Sequence, residues 1–562
     1  MAVPASTTTL TVIQPKALPK GTSEYEKKRA SLLEAFAKKV PSDLRLSPEF
    51  FVKPPIDVSN VPTTCGILSP SEVAITENYD AVGLAEAIAT RKLTSLEVTT
   101  AFCKRAIIAH QLTCCLTQWF MPEAIEQAKE LDAYLEKHGK TKGPYHGVPV
   151  SIKEHMPVAG THSSYGSFAS TQFDDKDCLL VSMLRDMGAV FYCKTNQPQL
   201  IMHLECTSHY GRTLNPFNTN LSAGGSSGGA GALNAMKGSV VSLGSDIGGS
   251  IRQPSACNGI YGFKPTSYMV PTKGTLSHHF SAELNVLACD GPMCRSLRDT
   301  DSFMSNILGA KPYIQDQKII PIPWTGLKTP ITKPLKIGIV SNDGFINPQP
   351  PVKRAITWVR ERLSNHKDSD LIEVKAFKPY KAEEAMSNIR RMYWPDGGKL
   401  ARHDVQSTGE PVLPLSEWIW SDAAPHGMLD AEQVNDMRAQ RDAFRYAFAD
   451  SWNDQDVDIV IGPAFVGPAP AHDTAFYWTY TSLWNFVDYP GIVVPTPIKA
   501  EKGERYEEDY EPLSDACKHV KQLWEEGDFD GAPINLQINA RRYHDNDLFG
   551  ALAVLKDILD LP

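Results

Sequence analysis

The sequence predicts an α/β fold, a sandwich in which a large mixed, mostly parallel sheet is covered by helices on both faces. Two observations carry this. Seven short runs rich in β-branched residues (Val148 to Ile152, Val190 to Cys193, Val240 to Leu243, Ile337 to Val340, Ile459 to Ile461, Ile492 to Val494 and Ile534 to Ile538) are separated by stretches of helical periodicity. Strands that alternate with helices build a sheet buried on both sides. The composition, 42% hydrophobic and 22% charged over 562 residues, is that of a globular chain able to fill such a core.

The elements follow in order. Residues 1 to 20 are rich in Thr, Pro and Ala without periodicity and read as a loose arm. From Ser23 to Val40, Leu32, Leu33, Phe36, Ala37 and Val40 recur at helical spacing, giving an amphipathic helix whose stripe must dock on the chain's own core or on a second copy in a homodimer. Thr94-Ser-Leu-Glu97 is a capping box that opens a helix through Val98, Phe102 and Ile107. The stretches from Lys311 to Pro334 and from Arg402 to Pro414 read as long surface connections.

The chemistry concentrates between Gly224 and Thr266. Ser226 and Ser250, 24 positions apart, are each embedded in glycine. Glycines beside a serine remove Cβ atoms that would block a substrate, and they let successive N–H groups converge on one point, as acyl transfer requires. Upstream, Lys153 closes the apolar run from Val148. A lysine is a base only when neutral, so its surroundings must lower its pKa by burial or nearby positive charge.

The set Gly147, Pro149 and Lys153, the run Gly224-Gly-Ser226-Ser-Gly-Gly229 and the run Ser245-Asp-Ile-Gly-Gly-Ser250-Ile-Arg252 resemble the amidase signature family. The similarity extends through Tyr192 to Pro198, Gly211 to Pro216, Gly491 to Pro495 and Pro533 to Gln537. Pro312 to Trp324, Asp396-Gly397 and Ser407 to Pro411 are similar to its fungal acetamidase, or general amidase, branch. The resemblance implies the amidase signature fold, with residues 1–85 an N-terminal arm and helical extension and 86–562 the catalytic domain. It also implies a Ser-Ser-Lys triad. Ser250 attacks the amide carbonyl, Ser226 relays its proton across a cis Gly225-Ser226 peptide bond, and neutral Lys153 is the base. The oxyanion hole is expected from the N–H groups of Ile247, Gly248 and Gly249, with Ser250 a further donor.

Ser227 and Ser245 are expected behind the triad, and Asp246 with Arg252 as a structural ion pair. Ile201, Met202, Gly225, Leu204 and the loop from Thr161 to Gly166 are expected to contact substrate, with Tyr393 and Trp394 closing the pocket. Apolar lining favours a small neutral carboxamide such as acetamide, cleaved to carboxylate and ammonia; aryl or indole acetamides and esters are the alternative. Three positions depart from the family's usual pattern: Ala230 where glutamate often stands, Glu154 for aspartate, and Ala540 for glycine.

Other readings are weaker. Gly224-Gly-Ser226-Ser-Gly228 also fits the nucleophile elbow of a Ser-His-Asp α/β-hydrolase, but a turn-forming run rather than a strand precedes it, and His472 and His544 have no catalytic-looking setting. An amidotransferase subunit would need a partner-binding extension that is not evident. Net charge is −9, from 56 basic and 65 acidic residues without a basic cluster, which argues against nucleic acid. Eleven scattered cysteines with no C-x-x-C pair suit reduced thiols and give no case for zinc. No cofactor is expected. With no signal peptide and no 18-residue apolar run, the expected setting is cytoplasmic and away from membranes.

Overall fold

A computed structural model of the chain describes residues 9–276, 285–365 and 371–561. All seven expected runs are strands, and four further strands join them in one sheet of 11 among the described residues. In chain order they are β1 (Leu116–Trp119), β2 (Pro149–Lys153), β3 (Val190–Thr195), β4 (Val241–Asp246), β5 (Tyr261–Lys264), β6 (Cys289–Cys294), β7 (Leu335–Ile339), β8 (Ile372–Ala376), β9 (Ile459–Pro463), β10 (Gly491–Lys499) and β11 (Pro533–Asn539). The order across the sheet is β1-β3-β2-β4-β6-β5-β10-β11-β9-β7-β8.

The sheet is mixed, as expected, but its proportion corrects the expectation of a mostly parallel one. The pairs β2–β3, β2–β4, β7–β8 and β7–β9 are parallel. The middle of the sheet, from β4 through β6, β5, β10 and β11 to β9, is antiparallel throughout, as is β1 on β3. Two of the four unexpected strands, β5 and β6, lie in this antiparallel middle. β6 contains Gly291-Pro292, a turn signal, yet Pro292 is tolerated because β5 pairs with β6 only at Met293 and Cys294, so the proline faces a single ladder.

Helices cover both faces. The helix Ser95–Thr113 is closed by the expected capping box: the Thr94 hydroxyl accepts the Glu97 N–H at 3.1 Å and the Glu97 carboxylate accepts the Thr94 N–H at 2.8 Å. It is buried along most of its length, and Phe102 and Ile107 share one apolar cluster with Val150 of β2 and Val241 of β4. A second cluster, rich in aromatics, gathers Phe377, Phe448, Trp452 and Trp484.

The amphipathic helix forms as Ser23–Lys38 and docks on its own chain, with Arg29 donating to the His209 carbonyl at 2.8 Å and Phe36 against the His110 ring. The arm before it is not loose over residues 9–22: Ile13 is buried and its N–H donates to the Gln111 carbonyl at 3.1 Å, while Thr22 donates to Gly409 at 2.9 Å. An extended segment tied down by backbone bonds to distant partners has no periodicity to read. Residues 1–8 lie outside the described residues. The expected connection from Arg402 to Pro414 is likewise corrected in its first half, which belongs to the helix Lys399–Ser407 anchored by buried Ala401 and Val405.

Candidate active site

β2 and β4 run parallel side by side, with Val150 opposite Val241, so their carboxyl ends present Lys153 and Ser245 together. The Lys153 Nζ donates to Ser226 Oγ at 2.7 Å and to Ser245 Oγ at 2.9 Å. Ser226 sits in the loop before the helix Gly228–Ala235, and the Gly225-Ser226 peptide is cis, as the resemblance implies. Ser250 lies in the turn after β4, and the Ser227 N–H donates to its carbonyl at 3.1 Å, tying the two serine loops together. No hydrogen bond joins the Ser226 and Ser250 hydroxyls among the described residues; the two residues meet by lining one cavity. Ser227 Oγ lies 3.4 Å from the Ser245 N–H that donates to it, so Ser227 braces the strand end that carries Lys153's second acceptor.

Lys153 is fully buried, and desolvation lowers its pKa from 10.5 to about 7, against Cys206, Asp290 and Asp246, which favour the ammonium. Glu154 does not act on it. The carboxyl of Glu154 accepts from Thr117 and, at 3.0 Å, from Ser164, and burial raises its own pKa.

The turn from Ile247 to Ser250 is held by Asp246, whose carboxylate accepts the N–H groups of Gly249 at 2.9 Å and Ile251 at 3.1 Å and pairs with the Arg252 guanidinium at 3.0 Å. Burial pushes the Asp246 pKa up, but the Arg252 charge outweighs it and holds the carboxyl below its ordinary range. The expected ion pair is therefore also the clamp of the turn. It engages the Gly249 amide, which leaves the amides of Ile247, Gly248 and Ser250 without acceptors among the described residues. Gly249 has φ +133°, and a Cβ there would lie 2.3 Å from Thr481 Oγ1.

The amidase family model matches residues 97–549. The chain belongs to the amidase family. It is similar to an amidase-family protein of Schizosaccharomyces pombe, 41% identical over 509 residues covering 90% of this chain and 94% of that one. It is also similar to an acetamidase of Aspergillus oryzae, 35% identical over 500 residues covering 86% and 90%. Among solved structures, a fatty acid amide hydrolase superposes with a TM-score of 0.86 at 33% identity, covering 96% of this chain and 95% of that one.

The amidase has a cavity of about 190 Å³ over Ser226, Ser245 and Ser250, walled both by apolar side chains, Ile201 and Met202 among them, and by polar and charged ones. Not every expected contact lines it. Gly225 is buried against residues 203–205, where a Cβ would lie 2.8 Å from the Glu205 nitrogen, so glycine is needed there for close backbone approach rather than for substrate. Leu204 is buried but does not line the cavity, and of the loop from Thr161 to Gly166 only Tyr165 does. Tyr393 sits behind the turn and donates to the Ile247 carbonyl, while Trp394 packs edge-on against Trp420; neither closes the pocket. His472 and His544 lie outside the cavity, the first between Glu205 and the Thr219 carbonyl, the second exposed beside Asp547.

Several wall groups escaped sequence reasoning, among them Asp316 and Lys318 of the stretch read as a surface connection. His155, two residues after Lys153, contacts Gln197 at 3.1 Å, and burial with the nearby Lys153 charge pushes its pKa well below the ordinary histidine value. Asp290 on β6 and Tyr268 also line the cavity. Among the described residues no cluster of three or more His, Cys, Asp or Glu is placed to hold a metal ion, and no helix is long and apolar enough to cross a membrane.

Proposed function

We propose that this amidase cleaves the C–N bond of a small neutral carboxamide through a Ser-Ser-Lys relay and an acyl-enzyme. The observation that carries the reading is the 2.7 Å contact from a fully buried Lys153 to Ser226 Oγ, with the amine's pKa lowered to about 7. Half-deprotonated near neutrality, Lys153 takes the Ser226 proton as Ser226 takes that of Ser250, and Ser250 Oγ forms the bond to the carbonyl carbon. The oxygen's charge is met by the free amides of the turn, whose loss typically costs 10² to 10³ in rate per donor. Collapse of the adduct breaks the C–N bond, with the proton returning through Ser226 to the leaving nitrogen; water entering by the same relay releases the carboxylate.

The small cavity supports a short acyl group, and Ile201, Met202, Val270, Leu276 and Val286 in its wall favour an uncharged one. The reading predicts that a panel of short amides releases ammonia, and that a fluorophosphonate labels Ser250 in the wild type but not in Ser250→Ala. An adduct mapped to Ser226 instead would overturn it.

A further inference from the structure

Asp290 stands apart from the other buried aspartates. Asp246 accepts from four residues. Asp299 accepts the N–H groups of Ala81 and Val82, Asp343 those of Phe345 and Ile346, and Asp545 both donors of Thr266. Asp290 is 3% exposed, yet no hydrogen bond reaches its carboxyl: Oδ2 is the one fully covered carboxylate oxygen without a donor among the described residues, and Oδ1, equally without one, is the oxygen left accessible. Buried carboxylates are ordinarily satisfied, and one that is not calls for an explanation.

Its place in the sheet supplies one. Asp290 lies directly across from Ser245 in the antiparallel β4–β6 pair, so both side chains emerge on the face that carries Lys153. It lines the same cavity as Ser226 and Ser250. No ion pair joins it to Lys153 within 4 Å among the described residues, although the two interact electrostatically. The carboxyl is thus neither a structural clamp nor the base's direct partner, and the molecule that enters this cavity is the substrate. From this placement we infer that Asp290 is a specificity-determining residue that accepts a hydrogen bond from an N–H or O–H donor of the bound substrate. The inference rests on the proposed function for the identity of the cavity. It refines the substrate class to carboxamides that present a donor to this wall, either the NH₂ of the carboxamide itself or a hydroxyl on the acyl chain.

The test uses the full-length enzyme at pH 9, where the base is free. Three isosteric pairs probe the acyl chain: glycolamide against propionamide, 3-hydroxypropionamide against butyramide, and 4-hydroxybutyramide against pentanamide. Propionamide against methyl propionate probes the carboxamide NH₂. In Asp290→Val, a fall of about tenfold in the hydroxy-to-alkyl ratio of kcat/KM for at least one pair assigns the donor to the acyl chain, the scale expected when a buried polar group loses its partner. A similar fall in the amide-to-ester ratio assigns it to the NH₂. Ratios unchanged within about twofold in both arms, with Ser250 still labelled by a fluorophosphonate, overturn the inference and leave the proposed function standing. Should the valine variant not fold, the wild type carries the test. Hydroxy amides cleaved no better than their alkyl partners, together with the ester cleaved at least as well as the amide, overturn the inference; a hydroxy-to-alkyl or amide-to-ester ratio of about tenfold supports the corresponding source.

Discussion

Acidification should switch the enzyme off through Lys153, and the structure sets where. A lysine at its ordinary pKa near 10.5 is neutral in about one molecule in three thousand at pH 7; at a pKa of about 7 it is neutral in roughly half. The gain of about a thousandfold in competent enzyme comes from burial. With the base free only above its pKa, kcat/KM should be flat on the alkaline side and fall about tenfold per pH unit below pH 6. Other titrating groups near Lys153 bear on the limb in known directions. Burial raises the Cys206 thiol to about 12, so it stays protonated throughout, and Arg252 keeps Asp246 ionised. Asp290, raised by burial to about 7 and lowered by Lys153, titrates in the same range, so the limb reports the pair. Because the Asp290 carboxylate favours the ammonium, Asp290→Asn should move the limb to lower pH. His155 is neutral across the range, so His155→Gln should keep the limb. The assay is ammonia release from a neutral amide between pH 5 and 10. Lys153→Met should lose roughly 10² to 10⁴ in kcat/KM, the usual worth of a positioned base, and combining it with Asp290→Asn should leave a residual rate without the limb. A limb that survives in the Lys153→Met, Asp290→Asn double variant, or vanishes in His155→Gln, refutes the reasoning.

Two further outcomes follow from the same geometry. Tyr393→Phe removes the hydroxyl that satisfies the Ile247 carbonyl and should cost about 1 to 3 kcal/mol, read as a lower thermal midpoint together with a lower kcat at little-changed KM; an unchanged kcat would mean the turn does not need this prop. Lys153→Met should raise the thermal midpoint at pH 7 and lose that advantage toward pH 10. The folded pKa lies below the unfolded one, so between about 7 and 10.5 the unfolded chain holds a proton that the folded chain has released, and wild-type stability climbs with pH by on the order of a few kcal/mol. Scanning calorimetry at both pH values checks it, and an equal difference at the two rules it out.

The chemistry of this chain was far more legible than its sheet. Glycine-embedded serines and a lysine closing an apolar run announce themselves locally, and the structure brings Ser226 and Ser250 to one cavity with Lys153 buried behind Ser226. What stayed hidden depends on partners distant in sequence. β5 and β6 are short and contain Gly262 and Gly291-Pro292, so each reads as a loop until its neighbours supply the ladder. With β6 went Asp290, whose significance lies entirely in standing opposite Ser245. Tyr393 was read as a lid because an aromatic pair before Pro395 says nothing of which side of the turn it reaches; it props the turn from behind. The edge strand β8, Ile372–Ala376, did carry a period-2 pattern, and only its exposure set it apart from the buried apolar runs.

Burial acts with opposite sign on an amine and a carboxyl, and that ties the buried base to the carboxyl on the cavity wall. Desolvation lowers Lys153 and raises Asp290 until both titrate near pH 7. Where the pair carries a single proton, that proton resides on either group: on Lys153 it makes an ammonium beside a carboxylate, on Asp290 a free amine beside a neutral acid. Only the second arrangement has a base for Ser226, so half-titration of the pair understates the loss of activity that acidification brings. Above the pair's upper pKa the proton is gone. Lys153 is then free to accept from Ser226, and Asp290 is a carboxylate with an unmet need for a donor. The same change in pH that frees the base therefore makes the cavity wall a better acceptor, and reactivity and recognition should rise together on the alkaline side.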